Sequence, residues 1–260
     1  MEAPTLTLMT DAELNARLRA NLLGYRLLQA RTGPLRLLEL PGVWAFALPG
    51  YEHSLFHHQV LYEEARALAR ALASLEAWYR EQGVRSWRVL VQPGDVAAEA
   101  LLARAGHRLE DEFPGMGLPL AHTPPHLPLG TTLEHPEQLD EVLALNALFY
   151  GGAGVVHIEP WRTRLPPEIH AVLIREAGRA LAGGLCFEQG DTAGIYLVAT
   201  HPDAHRRGLG ALVMRGLHAD AHARGRTVAV LQATDMGHGL YQQLGYRDLG
   251  AWRNWVRRID

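Results

Sequence analysis

No lysine occurs anywhere in this 260-residue chain; all 25 basic residues are arginine. That excludes a Walker-type phosphate loop, a Schiff-base nucleophile and any lysine of the chain's own that could be acylated. Only one cysteine is present, Cys186, so neither an internal disulfide framework nor a thiolate metal cluster can form, and a reducing cytoplasmic location is expected. No uncharged apolar run approaches ~18 residues and no basic-then-apolar segment opens the sequence, so neither a membrane span nor a secretory signal is expected. Excess charge is also lacking: the formal net charge of −3 points away from nucleic acid and membranes as partners.

What is present suits a soluble folded protein, with 48% hydrophobic and 20% charged residues and enough length for one large domain or two small ones. The stretch AHTPPHLPLG, residues 121–130, breaks the hydrophobic pattern with three prolines and reads as a linker. Before it, Thr10 and Glu13 have capping-box spacing ahead of a helix running to about Thr32. LRLLEL (35–40) and VWAFAL (43–48) suit a hairpin. A helix from about Leu61 to Gln82, a strand SWRVLV (86–91), a helix from Asp95 to Ala105 and a strand pair complete this half. After the linker, TTLEH (131–135) reads as a strand and residues 136–150 as a helix. The runs 170–176, 179–189 and 193–200, joined by short turns, predict an antiparallel meander. A helix to about Ala223, a strand at 227–233, a short helix around Tyr241 and a strand pair from Tyr246 to Arg258 follow.

The halves share an ending. Residues 225–247, GRTVAVLQATDMGHGLYQQLGYR, align with 83–108, GVRSWRVLVQPGDVAAEALLARAGHR, as glycine, strand, turn with aspartate, helix, glycine and arginine. This order of elements favours a duplicated unit. The first copy has nothing like RRGLGA before its long helix, and Leu102 stands where the second has Tyr241.

The stretch HPDAHRRGLGALVMRG, residues 201–216, carries the chemistry. An apolar strand, a turn, then R-R-G-L-G-A at a helix start turns unpaired N–H groups toward one point, and the helix end adds a partial charge of about +0.5. The competing reading is a glycine-relaxed helix start with two solvated arginines. A dinucleotide fingerprint fails because Val213 stands where its third glycine or alanine belongs.

The run GIYLVATHPDAHRRGLGALVMRGLHADAHARG, followed by TVAVLQATDMGHGLYQQLGY, resembles the GNAT superfamily of acyl-CoA-dependent N-acetyltransferases across residues 130–260. The first half resembles a degenerate copy, as in tandem members. The resemblance implies an α/β chain of the α+β type: two GNAT-like domains, each a mixed, mostly antiparallel sheet flanked by helices. Residues 1–120 would be the degenerate domain, 121–130 the linker and 131–260 the acetyl-CoA-binding domain. It further implies that Val198, Ala199 and Thr200 lie along the pantetheine arm, and that Arg206, Arg207, Gly208, Leu209, Gly210 and Ala211 hold the pyrophosphate. His205 occupies the loop's first position, where the family usually has Gln or Arg. The Val198 amide would stabilise the thioester oxyanion, and Tyr241 would protonate the departing thiolate, a late transfer since a free phenol titrates near 10 and a thiol near 8.5.

The general base stays open. The usual strand glutamate has Gly194 or Tyr196 in its place, and Asp191, Glu188, Glu159 and His157 are candidates by residue type only. His218 and His222 share i, i+4 spacing but read as a solvated helix face. His57 and His58 would point to opposite faces of a strand, and Cys186 reads as a small buried residue. Arg162 and Arg164, beside Trp161, read as surface arginines or as a carboxylate-recognising pair. The expected activity is acetyl transfer from acetyl-CoA to a primary amine, without metal; the alternative is a catalytically silent acyl-CoA sensor or scaffold. Expected partners are a small-molecule or peptide amine acceptor, with homodimerisation left open.

Overall fold

The computed structural model describes residues 9–121, 125–150 and 152–259, so positions 122–124 of the expected linker lie outside the described residues. The chain begins with helix α1 (Asp11–Thr32), whose first turn is closed by the expected capping box. The Thr10 N–H donates to Glu13 at 2.7 Å, and the Glu13 N–H donates to Thr10 Oγ1 at 3.3 Å. Leu14, Leu18, Leu22, Tyr25 and Leu28 recur every three or four residues and are all buried. Each such side chain contributes about 1.5–3 kcal/mol on burial, enough to seat the helix across the sheet.

The first half continues with β1 (Arg36–Leu40), β2 (Val43–Ala47), β3 (Gln59–Tyr62), α2 (Ala65–Glu81), β4 (Ser86–Val91), α3 (Val96–Arg104) and β5 (Arg108–Pro119). The second half contains β6 (Thr131–Glu134), α4 (Asp140–Tyr150), a 3₁₀ segment (Gly152–Arg162), β7 (Ile169–Glu176), β8 (Arg179–Gln189) and β9 (Thr192–Thr200). It ends with α5 (Leu209–Ala223), β10 (Val228–Gln232), α6 (Asp235–Gln243) and β11 (Arg247–Arg258).

Several expectations need correction, among them the helix expected over 136–150, which starts at Asp140. The helix expected from Leu61 starts at Ala65, because Gln59–Tyr62 is a strand, fully buried and too short to show alternation. The strand pairs expected at the end of each half are single 12-residue strands, and the break in β11 is a register shift between Asp248 and Ala251.

All eleven strands form one mixed sheet, ordered β1-β2-β3-β4-β11-β5-β10-β9-β8-β7-β6. Only β3/β4 and β9/β10 run parallel. The two separate sheets expected from a duplicated chain are therefore joined into one. Each half runs through an antiparallel meander, a crossover helix, a parallel strand, a short helix and a long strand. That last strand does not pair with the strand before it in its own half. Instead β5 lies against β10 and β11 lies against β4, while β5 and β11 pair with each other at the centre. Helices α2 and α3 cover one face of the first half and α5 covers the same face of the second, while α1 and α4 cover the opposite face.

Candidate functional site

The site grows out of the way β9 and β10 part. They pair over three positions, Thr192–Gly194 with Val228–Val230, after which β9 runs on to Thr200 paired with β8 on its other side. Here β9 is bulged: Tyr196 faces Leu185 and Ala199 faces Gly183, so Leu197 and Val198 together oppose Gly184. Leu197 has a φ of +53°, a left-handed conformation that costs a non-glycine residue about 1–3 kcal/mol and persists only where neighbours hold it. The neighbour is Asn146 of α4, fully buried, whose Nδ2 donates to the Leu197 carbonyl at 2.7 Å.

Beyond Thr200 the chain turns toward α5. The His201 ring accepts the Asp203 N–H at 3.2 Å, and the Ala204 N–H donates to the His201 carbonyl at 2.9 Å. His205 donates through Nε2 to the Thr200 carbonyl at 2.9 Å, which ties the loop to the strand. Arg206 (φ +61°) and Gly208 (φ +76°) are both left-handed, and only Gly208 adopts that conformation without a Cβ penalty. Alternating handedness of this kind makes a concave run of N–H groups that suits an anion. Among the described residues, none of the N–H groups from Arg206 to Ala211 finds a main-chain acceptor outside the helix, and the positive end of the 15-residue α5 lies at the same point. The Arg207 guanidinium turns to both oxygens of Glu176 at 2.5 Å. Its contribution to this concavity is therefore its main chain.

Helix α6 closes the third side. Thr234 caps it by accepting the Gly237 N–H, and Tyr241 packs on the α5 core with its ring centroid 5.9 Å from that of Tyr246. A Cβ on Gly210 would stand 3.3 Å from Leu240 and 3.6 Å from Thr200 Oγ1, so the start of α5, the end of β9 and α6 meet around one narrow space. Thus Val198–Thr200, the loop 205–211 and the helix bearing Tyr241 come together at the open end of the sheet.

The base candidates do not join them. Asp191 is paired with Arg17 at 2.7 Å, and Glu188 with Arg224 at 2.8 Å. Both flank the opposite end of β9, roughly 27 Å from Thr200 at the usual strand rise. Glu159 is held by Arg162, which also binds Asp140, and His157 is bonded to His57. Beside Gly194, Asn21 of α1 fills the space a side chain would need, its Oδ1 lying 1.8 Å from an ideal Cβ. The same Oδ1 accepts the Tyr196 hydroxyl at 2.7 Å, and Tyr196 stacks on Tyr25 with centroids 3.9 Å apart. Helix α1 thus occupies the positions where a strand carboxylate was sought.

Other histidines have structural partners. His218 is not on a solvated face: it is buried and bonded to Tyr246 Oη at 2.8 Å, and burial pushes its pKa down to about 4. His57 and His58 do not sit in a strand, since β3 begins at Gln59, but they do address different neighbours. His57 joins Ser54 Oγ (2.7 Å) to His157 Nδ1 (3.0 Å), whereas His58 bonds the Ser86 and Leu48 carbonyls. Arg26 lies nearby, buried, and donates to Gln59, Gln29 and the Phe56 carbonyl. Cys186 is fully buried, which raises its thiol well above the usual range. Among the described residues, no group of three His, Cys, Asp or Glu side chains is disposed to hold a metal, and no helix is long and apolar enough to cross a membrane.

The corresponding opening in the first half is bridged. Strands β3 and β4 pair in parallel at Gln59/Arg88 and Val60/Val89, beyond which the Tyr62 hydroxyl donates to Asp95 at 2.8 Å. Glu63 and Glu64 precede α2, where the second half has its arginines and glycines. Acidic side chains at a helix start oppose anion binding there.

Sequence reasoning missed Asn146, Asn21, Arg26 and the bond between His57 and His157. Asn146 did leave a signal: Leu139, Val142 and Leu143 share its buried helix face, and a lone amide on such a stripe marks a specific partner.

Comparisons with known proteins bear on the fold. A family model described as FR47-like protein matches residues 173–256. A GCN5-related N-acetyltransferase from Kribbella flavida superposes with a TM-score of 0.73 at 18% identity, covering 95% of this chain and 96% of that one. A tandem GNAT protein from the clavulanic acid biosynthesis pathway gives 0.62 at 15% identity, with 96% of each chain covered. A GCN5-related N-acetyltransferase from Sphaerobacter thermophilus gives 0.59 at 16% identity, covering 96% of this chain and 94% of that one. A search of curated proteins found no match. The chain has the fold of GCN5-related N-acetyltransferases.

Proposed function

We propose that this protein is an N-acetyltransferase that moves an acetyl group from acetyl-CoA to a primary amine by direct attack in a ternary complex. The observation that carries the reading is the convergence of the β9 bulge, the left-handed loop Arg206–Gly208 and Tyr241 at one open end of the sheet.

In this reading the N–H groups from Arg206 to Ala211, with the end of α5, hold the pyrophosphate, and His205 keeps the loop against β9. Val198, Ala199 and Thr200 run beside the pantetheine arm as an added strand would. Acetyl-CoA supplies an acyl group activated as a thioester. The Val198 amide donates to the carbonyl oxygen as it gains charge, and the Tyr241 hydroxyl donates to the sulfur as it leaves. Residues 131–260 form the acetyl-CoA-binding unit. Residues 1–120 form a degenerate copy, whose α1 walls the acceptor side of β9 through Asn21 and Tyr25. The acceptor is a small-molecule or peptide amine, and the protein works in the cytoplasm without metal.

A second reading, a silent acyl-CoA sensor, draws support from Asn21 occupying the space beside Gly194. Calorimetry with acetyl-CoA, followed by a free-thiol release assay over an amine panel, separates the two. Binding with turnover supports transfer; binding without turnover on any amine favours the sensor; no binding removes both. Because the chain has no lysine, any acetyl-lysine found after the assay belongs to the acceptor.

A further inference from the structure

We propose that Asn146 is a positioning residue that aims the Val198 amide by gripping the other end of the same peptide group. Its consequence for catalysis rests on the acyl-transfer reading above; its grip on the backbone does not.

The Asn146 Nδ2 carries two N–H donors, and both are used: one on the Val142 carbonyl at 3.0 Å, the other on the Leu197 carbonyl at 2.7 Å. Val142 lies four residues earlier in the same helix, where its carbonyl accepts the Asn146 main-chain N–H as a matter of helix geometry. The Leu197 carbonyl is therefore the group that depends on this side chain. The amide is kept at a cost, because Asn146 Oδ1 is buried and accepts no hydrogen bond among the described residues. A leucine of similar branching would bury no such oxygen.

What is gained lies across the peptide bond. The Leu197 C=O and the Val198 N–H belong to one planar trans unit and point in opposite directions. Drawing the carbonyl toward α4 turns the N–H away from α4. It also holds Leu197 at φ +53°, which the residue would otherwise leave for extended backbone, flattening the bulge. Asn146 thus sets the direction of the donor without touching any reacting atom.

The test uses the full-length protein with Asn146→Leu and Asn146→Asp, each assayed for kinetics and crystallised. For the leucine variant, kcat should fall about 10- to 100-fold, as for a misaligned oxyanion donor, with KM for acetyl-CoA unchanged within about threefold. Its crystal structure should show the Leu197–Val198 peptide turned from its native direction. In the aspartate variant a carboxylate would oppose both carbonyls at pH 8, whereas a protonated carboxyl at pH 5.5 donates to Leu197. Its kcat relative to wild type should rise at least about fivefold between those pH values, and the peptide should return to its native direction. A Leu197–Val198 peptide that keeps its direction in the leucine variant overturns the proposal. So does a loss of Tm with kcat per folded molecule unchanged, or a flat pH ratio for the aspartate variant. Should the leucine variant fail to fold, the aspartate variant decides by the same two readouts. A wild-type protein that acetylates no amine, combined with a turned peptide in the variants, upholds the positioning role and removes the acyl-transfer reading.

Discussion

Lowering the pH from 7.5 to 5 is expected to remove about 2 kcal/mol of folding stability through the buried His57 imidazole, with its neighbour His157 acting in the same direction. His57 and His157 are 0% and 2% exposed, and their rings share one proton across 3.0 Å. Burial lowers the pKa of His57 to about 3, helped by the nearby Arg26 charge, and lowers that of His157 well below its ordinary value for the same reasons. The unfolded chain takes up protons on both rings near pH 6.5, while the folded chain leaves both neutral. Stability from this pair is thus fully present above pH 6.5 and is lost as pH falls from there toward the folded values. At pH 5 the His57 ring contributes RT ln(1 + 10^1.5), about 2 kcal/mol of loss, and His157 adds to it in the same direction. That is a large share of the roughly 5–15 kcal/mol a domain holds.

Urea unfolding between pH 7.5 and 5 would measure this in wild type and in a His57→Leu/His157→Leu double variant. Replacing both partners with apolar groups leaves neither ring nitrogen unsatisfied. The variant should lose at least about 2 kcal/mol less than wild type over the interval, and the two curves should converge toward pH 7.5 in slope if not in height. Carboxylates interfere little, since they titrate mainly below this window. Parallel curves, within about 1 kcal/mol, would show that these rings charge freely in the folded protein and that burial does not govern them.

Three further outcomes are expected. Tyr241→Phe should reduce kcat on the order of 100-fold, the low end for a lost general acid, with acetyl-CoA affinity by calorimetry little changed; undiminished turnover would remove the assignment. Gly210→Glu should weaken acetyl-CoA binding at least about tenfold, because the new side chain enters the space beside Leu240 and Thr200 and brings a negative charge to the pyrophosphate seat; retained affinity would move the seat elsewhere. A fragment of residues 121–260 should fail to give a cooperative unfolding transition, since β10 loses β5 and the face of the sheet under α1 is bared; a stable, active fragment would show that the second half is self-sufficient.

Much of the local structure was legible in the sequence. The capping box at Thr10, the meander from β7 to β9 and the glycine-bearing start of α5 each depend on residues close in sequence, where turn chemistry and periodicity speak directly. The pairing of β5 with β10 and of β11 with β4 was not legible. Alternation says that a segment is a strand and which face is buried, but not which of several compatible neighbours it meets. Strand β3 was hidden because all four of its residues are buried, so its pattern merged with the helix that follows. At the site, the backbone donors could be anticipated from Gly208 and its neighbours. Asn146, which bonds the Leu197 carbonyl, and Asn21, which accepts the Tyr196 hydroxyl, act through partners 51 and 175 residues away, and no local rule reaches that far.

The exchange of β5 and β11 also bears on how the molecule comes into being. When the ribosome has made residue 119, β5 exists but both of its neighbours, β10 and β11, are still unwritten. At about 5–20 residues per second the wait for the last of them is on the order of ten seconds. During that interval β4 has only β3 beside it and β5 has neither neighbour, so both present edges exposed to pairing with other nascent chains. The protein is therefore expected to complete its central pair only once Arg247–Arg258 has been made, so that β11 acts as the clasp that closes both halves at once.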